Sequence, residues 1–136
     1  MIALAKNDRL PRSAKRVLKI LTVDDEPAMA ACLSAIFRGP RYELTSARNG
    51  REALARISAA AAPYDVVITD NQMPQLSGVE LVRALRERSF AGKIMVLSGE
   101  LTPECRDAFT EMKVDAILDK PFDTHELRNR LELLAA

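Results

Sequence analysis

Two stretches of this chain are apolar without alternation: Val66-Val67-Ile68, extended by Thr69, and Ile94-Met95-Val96-Leu97. A strand with one wet face alternates apolar and polar residues, so unbroken runs predict strands covered on both faces, as in a parallel sheet. Asp70 follows the first run directly, and Ser98-Gly99-Glu100 follows the second. After Asp70, Met73-Pro74 and Ser77-Gly78 break the pattern before a helical period begins at Val79. Open α/β sheets carry their chemistry at the C-terminal lip of such strands. A lone aspartate there is more often a solvated loop residue or a helix cap, so the rest of the chain has to decide its meaning.

The same alternation repeats along the sequence. Residues 17–23 predict a first strand, ending in Asp24-Asp25-Glu26-Pro27. Pro27 suits the first position of a helix, whose stripe is Met29, Cys32, Leu33, Ile36 and Phe37, stopped by Gly39-Pro40. Residues 42–47 alternate in polarity and predict a half-exposed strand at a sheet edge. Asn49 caps a helix expected to run to about Ala61, with Ala53, Leu54 and Ile57 inward. A third helix turns Val79, Leu81, Val82 and Leu85 inward and Arg83, Arg86, Glu87 and Arg88 outward. Thr102 caps a fourth, with Pro103 at its first position and Cys105, Ala108, Phe109 and Met112 as its stripe. A last strand at 116–118 ends in Asp119-Lys120-Pro121-Phe122. Asp123 and Glu126 have the spacing of a capping box for a final helix that buries Leu127, Leu131 and Leu134, with His125 on its surface. Five strand–helix pairs with right-handed crossovers predict an α/β fold, a flavodoxin-like (βα)5 doubly wound sandwich with parallel strand order 2-1-3-4-5.

At 136 residues the chain can bury the core of one domain. Residues 1–16 hold Lys6, Arg9, Arg12, Lys15 and Arg16 against Asp8 alone, and read as a mostly disordered basic tail before a domain at 17–136. The net charge of +1 gives bulk electrostatics no pull toward nucleic acid or membrane, so neither is an expected partner of this chain alone. No apolar run is long enough to span a bilayer and no secretory pattern opens the chain, so the expected location is cytoplasmic. Cys32 and Cys105 fall at apolar positions of helical patterns and are expected to be buried free thiols of a reducing compartment.

In a parallel sheet all C-terminal strand ends share one edge. That edge receives Asp24, Asp25, Asp70, Ser98 and Lys120, and strand order 2-1-3-4-5 makes the first and third strands neighbours, so the three aspartates meet. Clustered carboxylates cost about 4 kcal/mol per close pair at intermediate dielectric. A hard divalent cation removes that cost, and all-oxygen ligands with retained waters fit Mg²⁺. With Lys120 as a second cation and Ser98 as a short hydroxyl donor, the inventory suits a phosphoryl group attacked in line by a carboxylate to give an aspartyl phosphate. No histidine lies near the rim and no Gly-rich phosphate loop is present, which favours a transient acceptor over a turnover enzyme.

Val23-Asp24-Asp25-Glu26, Asp70 with Met73-Pro74 and Gly78, Leu97-Ser98-Gly99 and Lys120-Pro121-Phe122 are each weak marks. Together, in order and at strand ends, they resemble the receiver domain of two-component response regulators, the CheY-like family, over residues 17–135. The resemblance implies that Asp70 is the phosphoacceptor and Asp25 a direct Mg²⁺ ligand. It also implies that Asp24 helps through water and that the Gln72 main-chain carbonyl completes the protein ligands. Ser98 would bond the phosphoryl group in the active state, and Lys120 would pair with it. The implied donor is a phosphohistidine on a sensor histidine kinase or phosphotransfer protein. The domain would promote transfer to, and hydrolysis from, its own aspartate while switching a protein-interaction surface read by a downstream protein, as a monomer or a phosphorylation-dependent dimer.

Many receivers carry Tyr or Phe three positions before the lysine, where this chain has Ile117. The aromatic switch is then missing, and Ser98 with the loop from Gly99 to Thr102 is expected to carry the change. Two other classes compete: a phosphorylation-independent pseudo-receiver binding module, which should have lost one of Asp25, Asp70 or Lys120, and a phosphatase or phosphotransferase, which needs a second acid and a substrate pocket. The two residues after the last helix are too few for an output module, so the expectation is either a stand-alone receiver or a segment of a larger regulator or hybrid kinase, with Met1 mildly favouring the former.

Overall fold

A computed structural model describes residues 16–73 and 75–136. The first strand, β1 (Leu18–Val23), is buried almost throughout, and Val17, expected to open it, is half exposed. Helix α1 (Pro27–Ile36) follows with Pro27 in its first turn, where a missing N–H costs nothing. Next come β2 (Tyr42–Ala47), α2 (Gly50–Ala59), β3 (Val66–Asp70) and α3 (Gly78–Glu87). The chain continues through β4 (Lys93–Ser98), α4 (Pro103–Glu111), β5 (Ala116–Asp119) and α5 (Thr124–Ala135). All pairings are parallel and the strand order is β2-β1-β3-β4-β5. β3 is buried at every residue, as its unbroken run requires, whereas the alternating β2 lies at the edge and is half exposed.

Strand periodicity divides the core. Ile20, Val66, Ile68, Met95, Leu97 and Leu118 point to one face and pack with Leu33, Ile36 and Phe37 near α1 and with Leu127 and Leu131 of α5. Leu21, Val23, Val67, Ile94 and Val96 point to the other face, against Ala53 of α2, Leu81, Val82 and Leu85 of α3, and Phe109 of α4. Burying one such large side chain contributes about 1.5–3 kcal/mol, so each layer is fixed by several side chains of this worth.

The helix starts follow the sequence closely. Asn49 Oδ1 accepts from the Glu52 N–H and Thr102 Oγ1 from the Cys105 N–H. Ser77 and Glu80 form a reciprocal capping box on α3. Asp123 caps α5 through the His125 N–H alone, so its spacing to Glu126 does not make the expected reciprocal box. Cys32 corrects the reading of α1, because it is exposed. The stripe that meets the sheet is the narrower Leu33–Ile36–Phe37 face, and Cys32 falls on its flank. Cys105 is only half buried and sits across the sheet from Cys32; both thiols are free. The exposed position of His125 agrees with its surface reading.

Residues 1–15 of the basic tail read at 1–16, and Pro74 of the Met73-Pro74 mark, lie outside the described residues. Arg16 is described, and it pairs with Asp65 at 2.7 Å where the chain enters β1. Among the described residues, no helix is long and apolar enough to cross a membrane.

Candidate functional site

Strand register decides which side chains meet. Val23 lies beside Thr69, Thr69 beside Val96, and Val96 beside Ile117, forming one row across the sheet. One residue further on, Asp24 and Asp70 leave their strands level with each other. Alternation sends Asp24, Asp70 and Lys120 toward the face that carries Ile68, Leu97 and Leu118. Their meeting is thus a consequence of pairing and period.

Carboxylate oxygens of Asp24, Asp25 and Asp70 lie within 4.8 Å of one another. Asp24 and Asp70 are each 7 % exposed, and Asp25 is open to solvent. Lys120 Nζ stands 3.6 Å from Asp70 Oδ1 and 3.8 Å from Asp24 Oδ2. Burial pushes the Asp24 carboxyl above its ordinary value, opposed by the hydrogen bond it accepts from the Glu26 N–H; Asp70 raises it further and Lys120 pulls it down. One lysine facing three carboxylates leaves the cluster negative. Hard oxygen donors gathered at this spacing, with an excess of negative charge, fit a divalent cation such as Mg²⁺.

Asp70 is held from behind. Its Oδ1 accepts from the Asn71 N–H at 2.8 Å, and its main-chain oxygen accepts from Thr69 Oγ1 at 2.8 Å. Gly78 lets the start of α3 press against this strand end, because a Cβ there would lie 2.6 Å from the Asp70 carbonyl oxygen and 2.7 Å from Asn71 Cα. This gives the glycine of the sequence pattern a reason in close approach, not in unusual dihedrals.

Ser98 is 1 % exposed, one residue beyond the Asp70–Leu97 pair. Among the described residues its hydroxyl makes no hydrogen bond to Asp70 or Lys120, while its main-chain oxygen accepts from the Lys120 N–H at 2.8 Å. Gln72 is exposed, two residues past Asp70. Ile117 is half buried and packs on the α3–α4 side of the sheet. The geometry therefore brings Asp24, Asp25, Asp70 and Lys120 together and leaves Ser98 adjacent but unengaged. Asn71, unremarked in the sequence, is part of the site's frame; its only sequence signal is a polar residue beside the aspartate.

Access comes from two sides. A polar cleft of about 670 Å³ opens between α1 and the β2–α2 turn, lined by Asp24, Asp25, Ser46, Arg48 and Arg56 among others. A more apolar depression of about 410 Å³, lined by Met29, Cys32, Lys120, Pro121 and Phe122, lies on the other side. Both openings face outward along the rim, where a large donor surface could approach.

A parallel five-stranded sheet with acids and a lysine on its C-terminal rim defines a class, and comparison with known proteins defines the family. Residues 20–132 match the response regulator receiver domain, and the chain belongs to that family. It is 32% identical over 116 residues to the two-component response regulator ORR41 of Oryza sativa subsp. japonica, covering 84% of this chain and 91% of that protein. It is 37% identical over 131 residues to the sensor histidine kinase TmoS of Ectopseudomonas mendocina, covering 92% of this chain but 13% of that protein. Among solved structures, the chemotaxis response regulator CheY4 of Vibrio cholerae superposes with a TM-score of 0.78 at 32% identity, over 88% of this chain and 99% of that one. The response regulator TrrA of Thermotoga maritima, solved in complex with Mg²⁺-BeF, gives a TM-score of 0.74 at 31% identity, over 87% and 99%. The chain is a CheY-like receiver of two-component signalling, a family whose members receive phosphoryl groups from histidine kinases and bind Mg²⁺ at an acidic pocket. A pseudo-receiver role is not favoured.

Proposed function

We propose that Asp70 is the phosphoacceptor of this receiver and that a phosphohistidine on a sensor kinase or phosphotransfer protein is its donor. The observation that carries this reading is Lys120 Nζ reaching both Asp70 and Asp24 from one side while Asp25 closes the cluster from the other. An oxygen of Asp70 forms the new P–O bond as the P–N bond to the donor histidine breaks, and the electron pair stays on the imidazole. Lys120 turns from the carboxylates to the phosphoryl oxygens, whose charge it offsets. Ser98, buried and unengaged, supplies a hydroxyl donor to the same group, and the loop from Gly99 to Thr102 moves with it. Ile117 packs in the core and takes no aromatic part in that movement.

Asp25 and Asp70 would hold Mg²⁺ directly with the Gln72 main-chain carbonyl, and Asp24 through water. When bound, the ion offsets the negative charge gathered between acceptor and donor. Hydrolysis of the acyl phosphate is promoted by the same rim, so the domain acts on its own aspartate. The readout is a changed protein-binding surface, in a monomer or a phosphorylation-dependent dimer, in the cytoplasm. Residues 1–16 serve as a basic tail to the domain at 17–136, and neither nucleic acid nor membrane is a partner of this chain by itself.

The test is transfer from an autophosphorylated histidine kinase carrying labelled phosphate. Label is expected on the wild-type chain and absent from Asp70→Asn; equal labelling of both would overturn the assignment.

A further inference from the structure

Asn71 occupies the position directly after the proposed acceptor and is 8 % exposed. Its groups are almost fully spoken for. The main-chain N–H donates to Asp70 Oδ1, the main-chain oxygen accepts from the Gly78 N–H at 2.9 Å, and Oδ1 accepts from the Val79 N–H at 3.3 Å. The other two free N–H groups at the start of α3 are met within the capping box, Glu80 by the Ser77 hydroxyl and Ser77 by the Glu80 carboxylate. All four orphan donors of α3 are therefore satisfied, two of them by Asn71. Because Val79 needs an acceptor, the amide orientation is fixed. The NH₂ group is left to face Cys105 Sγ, 3.6 Å away in the first turn of α4.

Helix α4 buries a single residue, Phe109, where α2 buries Gly50 and Ala53 and α3 buries Gly78, Leu81, Val82 and Leu85. Its C-terminal end is gripped by Arg86, whose Nε and Nη2 donate to the Met112 and Lys113 carbonyls at 2.8 Å each. Its N-terminal turn meets Asn71 through Cys105. The Asn71 N–H donates to a carboxylate oxygen of Asp70 at 2.8 Å, and hydrogen bonds to carboxylates are about twice as strong as neutral ones. Phosphorylation turns that carboxylate into a mixed anhydride whose negative charge sits on the phosphoryl oxygens, so the oxygen facing the Asn71 N–H becomes a weaker acceptor and the grip on Asn71 changes.

We infer that Asn71 is a positioning residue that orients the acceptor carboxylate and passes its state to α4 through Cys105. The inference rests on Asp70 being the acceptor. It supplies a route that needs no aromatic residue at position 117 and that reaches α4 independently of Ser98. The feature that matters is the planar amide: its acceptor and donor sit on two separate atoms, Oδ1 toward Val79 and Nδ2 toward Cys105, a span that a single serine hydroxyl on a shorter side chain does not cover.

Hydrogen–deuterium exchange of the full chain, with and without Mg²⁺ and beryllofluoride, tests this in wild type, Asn71→Ser and Cys105→Ala. Cys105→Ala keeps every hydrogen bond of Asn71 to α3 and to Asp70, so it guards against a variant that merely folds badly. Wild type is expected to gain protection around Asp70 and Lys120 and to change exchange at residues 101–112 by about fivefold. In both variants protection around Asp70 and Lys120 should remain, while the change at 101–112 falls to less than about half of the wild-type response. A full α4 response in either variant overturns the inference and leaves the acceptor reading intact. No protection around Asp70 in wild type overturns the acceptor reading, and the inference with it.

Discussion

Lys120 Nζ lies 3.6 Å from Asp70 Oδ1, too long for a tight hydrogen bond and short enough for strong attraction. The lysine is shared with Asp24 at 3.8 Å and is tied fully to neither. A cation held this way is already placed beside the acceptor and is free to follow new negative charge. That arrangement has consequences that differ from those of an ordinary ion pair.

Replacing Lys120 with Gln should slow phosphorylation by a small-molecule phosphodonor by about a hundredfold, the scale seen when one preorganised donor to a developing charge is lost. Mg²⁺ should bind no more weakly, because a competing positive charge has gone. Phosphorylation rate and metal titration, measured side by side, separate this from general damage, which would weaken both.

Asp24→Asn should stabilise the metal-free protein by about 1 kcal/mol, since it removes a buried charge beside Asp70 and preserves the acceptor for the Glu26 N–H. Mg²⁺ should raise the melting temperature of wild type in proportion to the logarithm of its concentration, and of Asp24→Asn less. Chemical denaturation of the metal-free proteins reads the first difference, and thermal unfolding across a Mg²⁺ series reads the second. Equal Mg²⁺ stabilisation in the two proteins would remove Asp24 from the metal site.

Gly78→Ala should cost about 2 kcal/mol, the scale of overpacking, because its Cβ meets backbone that cannot swing away. The strand end carrying Asp70 must shift to admit it, so phosphorylation should slow even at temperatures where the variant is folded. Denaturant unfolding and a phosphorylation time course check the two effects.

A polar tie far from the rim gives the stability–pH profile. Glu132 of α5 accepts from Arg41 at 2.7 and 3.2 Å and from the Tyr42 hydroxyl, joining the last helix to the start of β2. Arg41 is the main cause that holds the Glu132 carboxyl below its ordinary 4.5. A folded-state pKa below the unfolded one contributes stability above pH 4.5, lost as pH falls through the lower folded value. Burial, helped by Glu132, raises the Tyr42 hydroxyl from 10.0 to about 12. A raised acid contributes stability below pH 10, lost as pH climbs from 10 to about 12. Glu132→Gln should flatten the acid limb of the unfolding profile and Tyr42→Phe the alkaline limb. Unchanged limbs would contradict the linkage.

The fold was legible because β3 and β4 carry unbroken apolar runs and β2 alternates, which separates central strands from an edge by composition alone. Asp24, Asp70 and Lys120 were legible as a group because they end parallel strands, and parallel ends share an edge. Asn71 was not: one polar residue after a strand has no periodicity, and its partners, Val79 and Cys105, are set by how α3 and α4 settle. The Arg41–Glu132–Tyr42 tie was not legible either, because it joins residues about ninety positions apart with no pattern linking them in the sequence. Cys32 was misplaced because an apolar stripe fixes a helix face only to within a residue at its flank, and the α1 contact is narrower than its pattern.

The most direct measurement is intact mass after incubation with Mg²⁺ and a small-molecule acyl phosphate, beside Asp70→Asn and a chelator control. The expected result is a labile gain of one phosphoryl group in wild type, absent from Asp70→Asn and abolished by the chelator. A stable gain, or one that persists in Asp70→Asn, would contradict the assignment of Asp70 as the acceptor.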